Sequence, residues 1–327
     1  MAQITTTAVL GDLAQVGAIA RFTDVFNQAG QSFVGREELN KIFKVQSTSD
    51  SDIRDVSIPG LGLMAETSEG DAYNEDSVLV GYETDYHIKK LTKSVEVTEE
   101  AIRYKQYKDK LDEMRMNAEE ANRTMVKYGM NILNAGFSSG ATVNGFTVYR
   151  MADGKNLFST SHPRKDGGTA QSNASSTGIV LNESNLETGR LALEKQLTDR
   201  GLPLQAMRPV LVCPTDLAKT ATILVNSEFR PSTANNDINF YNGVIMDVLV
   251  SKWLNATGSN GSTTAWFLID PMLARLKMYI GWNPDMHNSV EAKTRNTVFT
   301  VSVGLAAGHS DWRGGWGTKG DGLSYSS

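Results

Sequence analysis

Apolar positions recur with helical spacing over one long stretch of this chain and with strand spacing over several shorter ones. Tyr107, Leu111, Met114, Ala118, Ala121, Met125, Tyr128 and Ile132 follow one another in steps of three and four, which predicts a helix from about Thr98 to Ala135. Thr98 is a suitable N-cap, Glu99 and Glu100 suit the positive end of the helix dipole, and Gly136 can end the helix. At 1.5 Å per residue such a helix is roughly 55 Å long. A second helix is expected over Glu183 to Leu197, with Asn182 as its cap and the Gly201-Leu202-Pro203 stretch beyond it. Strict alternation appears near the end, where Phe299, Val301, Val303 and Leu305 share one face of a strand. Short apolar runs at Val210–Cys213, Val244–Val250 and Trp266–Ile269 read as buried strands, and a helix is expected after Pro214-Thr215-Asp216.

Between these elements the pattern loosens. The first 45 or so residues mix short apolar patches with Gly, Asn and Gln, and read as an arm with local helical turns. Residues 56–97 read as a long two-stranded excursion with a polar tip at Ser68-Glu69-Gly70-Asp71 and a return leg through Tyr86, Leu91, Val95 and Val97. An isolated hairpin of that length is poorly stable in water and needs a surface to lie on. Residues 136–182 are rich in Gly, Ser, Thr and Asn, and read as loops around short strands. The alternation of helices and strands that follows gives an α+β class with a mixed sheet.

Composition narrows the chemistry. The 327 residues are 40% hydrophobic and 21% charged, which suits a folded chain of about two domains. The net charge of -5, without a Lys/Arg block, argues against a dedicated DNA-binding surface. Cys213 is the only cysteine, so an intrachain disulfide is excluded and a reducing compartment is expected. No basic leader and no stretch of about 18 apolar residues marks the chain for export or a membrane.

Candidate chemistry is sparse, and no catalytic, cofactor or metal site is expected. The four histidines, His87, His162, His287 and His309, form no compact ligand pair. A hydrolase using His162 with Asp166, or using His309, would need a nucleophile, and the GxSxG elbow is missing. Adjacent carboxylates such as Glu99-Glu100 project about 100° apart on a helix and serve solvation or ion pairing. Trp312 and Trp316 could form a sugar-binding platform or pack a C-terminal strand.

The order of elements and several stretches resemble the Hong Kong 97-type major capsid proteins of tailed bacteriophages. Asp153-Gly154-Lys155-Asn156-Leu157-Phe158-Ser159-Thr160-Ser161-His162-Pro163 and Arg208-Pro209-Val210-Leu211-Val212-Cys213-Pro214-Thr215-Asp216-Leu217 are similar to stretches of the Mu-like branch. So are Asn239-Phe240-Tyr241-Asn242-Gly243, Trp266-Phe267-Leu268-Ile269-Asp270, and Val290-Glu291-Ala292-Lys293-Thr294-Arg295-Asn296 leading into Phe299. The resemblance implies an N-arm at 1–45, an E-loop at 46–97, a P-domain with a spine helix at 98–182, an A-domain at 183–281 and C-terminal P-domain strands at 282–327. It also implies pentamers and hexamers in a closed virion shell around double-stranded DNA, with a portal and scaffold or decoration proteins as partners, assembled in the host cytoplasm. An encapsulin-like compartment would share the fold.

Two readings of sites follow. Between Gly60 and Asp85 the excursion carries Glu66, Glu69, Asp71, Glu75 and Asp76 among its acids and has no Lys or Arg, so a basic strip on a neighbour would suit it. Arg103, Lys105, Lys108, Lys110 and Arg115 are the candidates. In relatives with covalent cross-links an E-loop lysine reacts with a neighbour's asparagine, whereas here no lysine lies between Lys44 and Lys89.

Overall fold

The computed structural model describes residues 6–31, 36–57, 62–64, 66–70, 72–73, 75–76, 81–138, 142–143, 146–147, 151–204, 208–230, 237–254 and 262–324. Six α-helices and twelve strands are assigned among them. The helices are α1 (Thr6–Gln31), α2 (Arg36–Asn40), α3 (Glu99–Arg103), α4 (Lys108–Asn134), α5 (Glu183–Glu194) and α6 (Ala218–Asn226). The first six strands are β1 (Lys44–Ser47), β2 (Asp52–Val56), β3 (Glu83–His87), β4 (Lys89–Val97), β5 (Thr142–Val143) and β6 (Phe146–Thr147). The others are β7 (Val210–Pro214), β8 (Asp247–Ser251), β9 (Trp266–Ile269), β10 (Leu276–Val290), β11 (Thr297–His309) and β12 (Gly315–Thr318).

Two four-stranded mixed sheets carry the core. One has the order β1-β10-β11-β4, with β1 parallel to β10 and the other pairs antiparallel. The second has the order β12-β9-β7-β8, in which only β7 and β8 run parallel. Its central strands are apolar at every position because both faces are covered. Leu211, Cys213, Trp266 and Leu268 pack with Leu186 and Leu193 of α5 and Ala221 and Leu224 of α6. Val210, Val212, Phe267 and Ile269 turn to the opposite side and join a cluster with Leu133 of α4. That cluster also takes Met278 and Ile280 of β10 and Val303 and Leu305 of β11, so α4 ties the two sheets together.

The long helix differs from its expected form. The chain breaks between Arg103 and Lys108, leaving α4 with 27 residues, about 40 Å at 1.5 Å per residue. Thr98 caps the short α3, accepting from the Ala101 amide at 3.3 Å. Its C-terminus closes with the Gln106 amide donating to the Ala101 carbonyl at 2.8 Å and the Lys105 amide to Ile102 at 3.2 Å. This pairing is a Schellman motif, which needs a left-handed residue, and Lys105 supplies it with φ of 55°. No glycine or proline announces that break in the sequence.

Three further elements depart from expectation. The amino-terminal stretch is a single 26-residue helix, α1, not an arm with isolated turns. Its Phe22 is fully buried and stacks on Phe299, with ring centroids 4.3 Å apart. The return leg of the excursion divides after His87: β3 pairs with β2, while β4 leaves the hairpin and becomes an outer strand of the first sheet. The 15-residue β10 had no counterpart in the sequence pattern, and it runs through Asn283-Pro284-Asp285. The proline falls in the register shift between Trp282 and Asp285, where the ladder does not require its missing N–H.

Burial along α4 changes with height. Met114, Ala118, Met125, Tyr128 and Ile132 are buried, Tyr107 is buried just before the helix, and Leu111 and Ala121 are partly covered. From Met125 onward the helix is covered on nearly all sides, and Gly129 lets α2 approach: a Cβ there would lie 2.5 Å from Leu39 Cδ2. Met114→Ala is expected to cost about 2–5 kcal/mol in chemical unfolding, and Met116→Ala, on the exposed face, within about 0.5 kcal/mol. Lys105→Gly is expected to stabilise the subunit by roughly 0.5–1 kcal/mol in the same measurement, because glycine adopts the left-handed conformation freely.

Candidate inter-subunit surfaces

The described parts of the excursion are exposed and bear both apolar and acidic side chains. Leu63, Met64 and Tyr73 are at least 80% exposed, far beyond what a side chain packed on its own chain shows. Glu66, Glu69 and Glu75 are exposed, and Asp71 lies outside the described residues. Asp76 differs from the others: its carboxylate pairs with Arg200 at 2.9 Å and accepts from the Gly62 amide at 2.6 Å. These contacts hold the base of the excursion against the loop after α5.

The suggested basic strip is only partly available. Arg103 pairs with Glu99 at 2.5 Å, Lys110 with Glu113 at 2.9 Å and Arg115 with Asp112 at 3.5 Å, all within their own helices. Lys105 and Lys108 are exposed and make no ion pair among the described residues. Spacing of three or four along a helix already placed an acid beside each of the paired cations, a signal readable from the sequence.

A second exposed apolar group surrounds α6 and the segment after it. Ile223, Phe229, Ile238, Phe240 and Met246 are all more than 40% exposed. Nearby, Arg190 lies over the Phe240 ring at 5.1 Å and is itself held by Glu187 and Glu194.

Sequence reasoning singled out His162, and its surroundings are those of a structural strut. The side chain is fully buried, with Nδ1 2.7 Å from Asp153 Oδ2 and Nε2 3.1 Å from Asn173 Oδ1. Asn173 donates to the Leu157 and Trp312 carbonyls and accepts from the Ser159 amide, which fixes its amide orientation. Trp312 stacks on the imidazole at 4.5 Å, within 8° of parallel. Each ring nitrogen thus faces an acceptor, with neither bonded to a hydroxyl among the described residues, and Asp166 pairs elsewhere, with Arg164. Trp316 packs on Trp266 at 4.9 Å; both Trp312 and Trp316 are buried, so neither offers a sugar-stacking platform.

Two polar features escaped the sequence reading. His309 is buried with both ring nitrogens unpartnered, beside a cavity of about 50 Å³ that Thr84 and Tyr86 also line. Burial pushes the His309 imidazole down to about 4. Asn117, on α4, is 2% exposed with neither side-chain amide atom partnered, at a cost of about 1–3 kcal/mol for each unsatisfied group. Neither is visible in the sequence, since each depends on what other elements bring, or fail to bring, to that point.

The structure is similar to the capsid protein of an empty GTA particle, at 11% identity and a TM-score of 0.54, covering 89% of this chain and 90% of that one. It is also similar to the capsid of Ralstonia phage GP4, at 11% identity and a TM-score of 0.53, with 88% of each chain covered. A virus-like particle from Pyrococcus furiosus gives 10% identity and a TM-score of 0.53, over 91% of this chain and 98% of that one. These likenesses establish the Hong Kong 97-like fold. No curated protein matches the sequence. Residues 81–317 match the model of the family described as phage capsid protein, and the chain belongs to that family. It is a major capsid protein of the tailed-phage type, present in many copies in the virion shell.

The lowered value at His309 sets a pH dependence. An unfolded histidine titrates near 6.5, so between about pH 6.5 and 4 the unfolded chain takes up a proton that the folded chain refuses. Its contribution is fully present above that window and is lost as pH falls through it. Unfolding free energy of the unassembled subunit is expected to drop by about 2 kcal/mol from this group between pH 7 and 5, and His309→Leu should remove that part of the slope in urea titrations.

Proposed function

We propose that this subunit builds a phage head enclosing double-stranded DNA, as pentamers and hexamers joined by non-covalent contacts, and that it performs no catalysis. The observation that carries the reading is the excursion, whose Leu63, Met64 and Tyr73 are extended into solvent with almost no cover from their own chain. An isolated soluble monomer gains nothing from such a segment, whereas a neighbouring subunit can bury it. Heterologous contacts of this kind close into a shell when the rotation between copies closes.

In this reading residues 1–45 are the N-arm, 46–97 the E-loop, 98–182 the P-domain with its spine helix, 183–281 the A-domain and 282–327 the C-terminal P-domain strands. The exposed apolar group around Ile238 and Phe240 lies in the proposed A-domain and suits contacts around capsomer axes. Lys105 and Lys108 are the cations of the basic strip that remain free for a neighbour's acids. A net charge of -5 fits a container that does not grip its cargo. The phage capsid family match favours a DNA-filled head over an encapsulin-like compartment holding an enzyme. A portal, with scaffold or decoration proteins, would complete the head, and assembly would take place in the host cytoplasm.

Electron microscopy of the purified protein is expected to show uniform closed particles; dispersed monomers under all assembly conditions would overturn the reading. Because no lysine lies between Lys44 and Lys89, the excursion has no amine to form an isopeptide bond. Mature particles boiled in denaturant should therefore run as one band at the monomer mass. A ladder that persists after reduction would refute the non-covalent shell.

A further inference from the structure

The cavity of about 560 Å³ opens beside the β1–β10 edge of the first sheet, walled also by the end of α2, the segment after α5 and the turn from β9 into β10. Lys44 and Lys277 are register partners on the parallel strands β1 and β10, so their side chains leave the sheet side by side, and both line this cavity together with Arg275. Like charges placed directly opposite one another on neighbouring strands are unfavourable unless an opposite charge joins them. Lys277 has such a partner in Asp55, at 2.5 Å, whereas Lys44 and Arg275 form no ion pair among the described residues. Two carboxylates line the cavity as well, Asp199 and Asp311, and both are engaged by Arg313, at 2.8 and 3.1 Å. Thr198 adds a neutral donor: its Oγ1 accepts from the Arg200 and Leu202 amides, at 3.3 and 3.1 Å, which leaves its O–H to donate. Leu204, Met272 and Leu273 supply apolar surface on the far wall.

We infer that this cavity binds a phosphate monoester of nucleotide size. The Arg275 guanidinium offers forked N–H donors that match phosphate oxygens, Lys44 adds a point charge beside it, and the Thr198 hydroxyl a further donor. A phosphate monoester carries roughly two negative charges at neutral pH and so answers both unpaired cations. A carboxylate carries one and leaves a cation unmatched. Size agrees, because a bare phosphate ion fills only a small part of 560 Å³, and the rest of the volume, with Leu204, Met272 and Leu273 beside it, suits the organic part of such a ligand. The cationic groups are open to an incoming molecule: Lys44 is exposed and Arg275 partly so. A free nucleotide and the terminal phosphate of a DNA strand offer the same chemistry, and one such site per subunit is compatible with a net charge of -5.

Titration calorimetry of the full-length chain in phosphate-free buffer of low ionic strength tests this, with adenosine monophosphate as the probe. Saturable binding of one molecule per subunit is expected, and adenosine, which lacks the phosphate, should give no heat above dilution. Lys44→Gln combined with Arg275→Gln is expected to weaken binding about tenfold or more, while Lys90→Gln combined with Lys93→Gln, which removes the same charge from β4, should change it less than about twofold. Lys44 is exposed on an edge strand, so Lys44→Gln alone keeps the fold and should still weaken binding about threefold. Competition then identifies the source of the phosphate. Displacement of the probe by a short DNA duplex with terminal phosphates, and not by the same duplex without them, assigns the site to a DNA end; displacement by neither assigns it to a free nucleotide. Absence of saturable binding overturns the inference, as do equal losses in the two double variants, equal binding of adenosine, equal displacement by both duplexes, or tighter binding of tetraglutamate than of the nucleotide.

Discussion

The subunit depends on the burial of the second half of α4 between two sheets that share no strand. Met125, Met130 and Leu133 are almost wholly removed from water, and the cluster they join draws on both β7 and β9 of one sheet and β10 and β11 of the other. A fully buried side chain of this size contributes about 1.5–3 kcal/mol. The helix is thus the common wall of two half-cores. It transmits the position of one sheet to the other, since close-packed interiors deform little.

Around that wall, polar side chains serve as joints. Asn134 donates to the Trp253 carbonyl at 3.0 Å, tying α4 to the segment after β8. His162 and Asn173 tie the loop before α5 to Trp312, and Arg313 reaches Asp199 at 2.8 Å and Asp311 at 3.1 Å beside a cavity of about 560 Å³. Buried ionic and amide contacts of this kind add little net stability but penalise alternative packings once formed. They cross from one sheet's surroundings to the other's, which suits a unit that must present a defined shape to many copies of itself.

The surface reverses this economy. The apolar side chains that the fold leaves out, from Leu63 and Tyr73 on the excursion to Ile238 and Phe240 beyond α6, take no part in the cluster around the shared wall. Acids without a local cation occupy the same excursion, while most of the suggested helix cations are satisfied by their own turns. Self-sufficient and unsatisfied regions are thus segregated, as expected where burial is completed by association.

Local patterning determined much of this protein. The alternation of Phe299, Val301, Val303 and Leu305 is a property of the strand itself, and so are the apolar runs of β7 and β9 and the capping of α5 by Asn182, whose side chain accepts from Asn185 at 2.8 Å. Their periods and caps involve residues close in the chain, so sequence suffices to read them. The family resemblance was legible for a similar reason, in the order of elements and several short stretches. Other features were decided only in three dimensions. Lys105 accepts a left-handed backbone because the packing of α1 and α3 makes the turn there, and Pro284 lies within a strand because a register shift accommodates it. β4 leaves its hairpin for β11, a partner 200 residues away in the pairing of Val97 with Thr297. The unsatisfied amide of Asn117 has no signature in its own helix, because it is defined by what the neighbouring strand does not supply. Contacts between distant segments set these outcomes, and no window of sequence contains both sides of them.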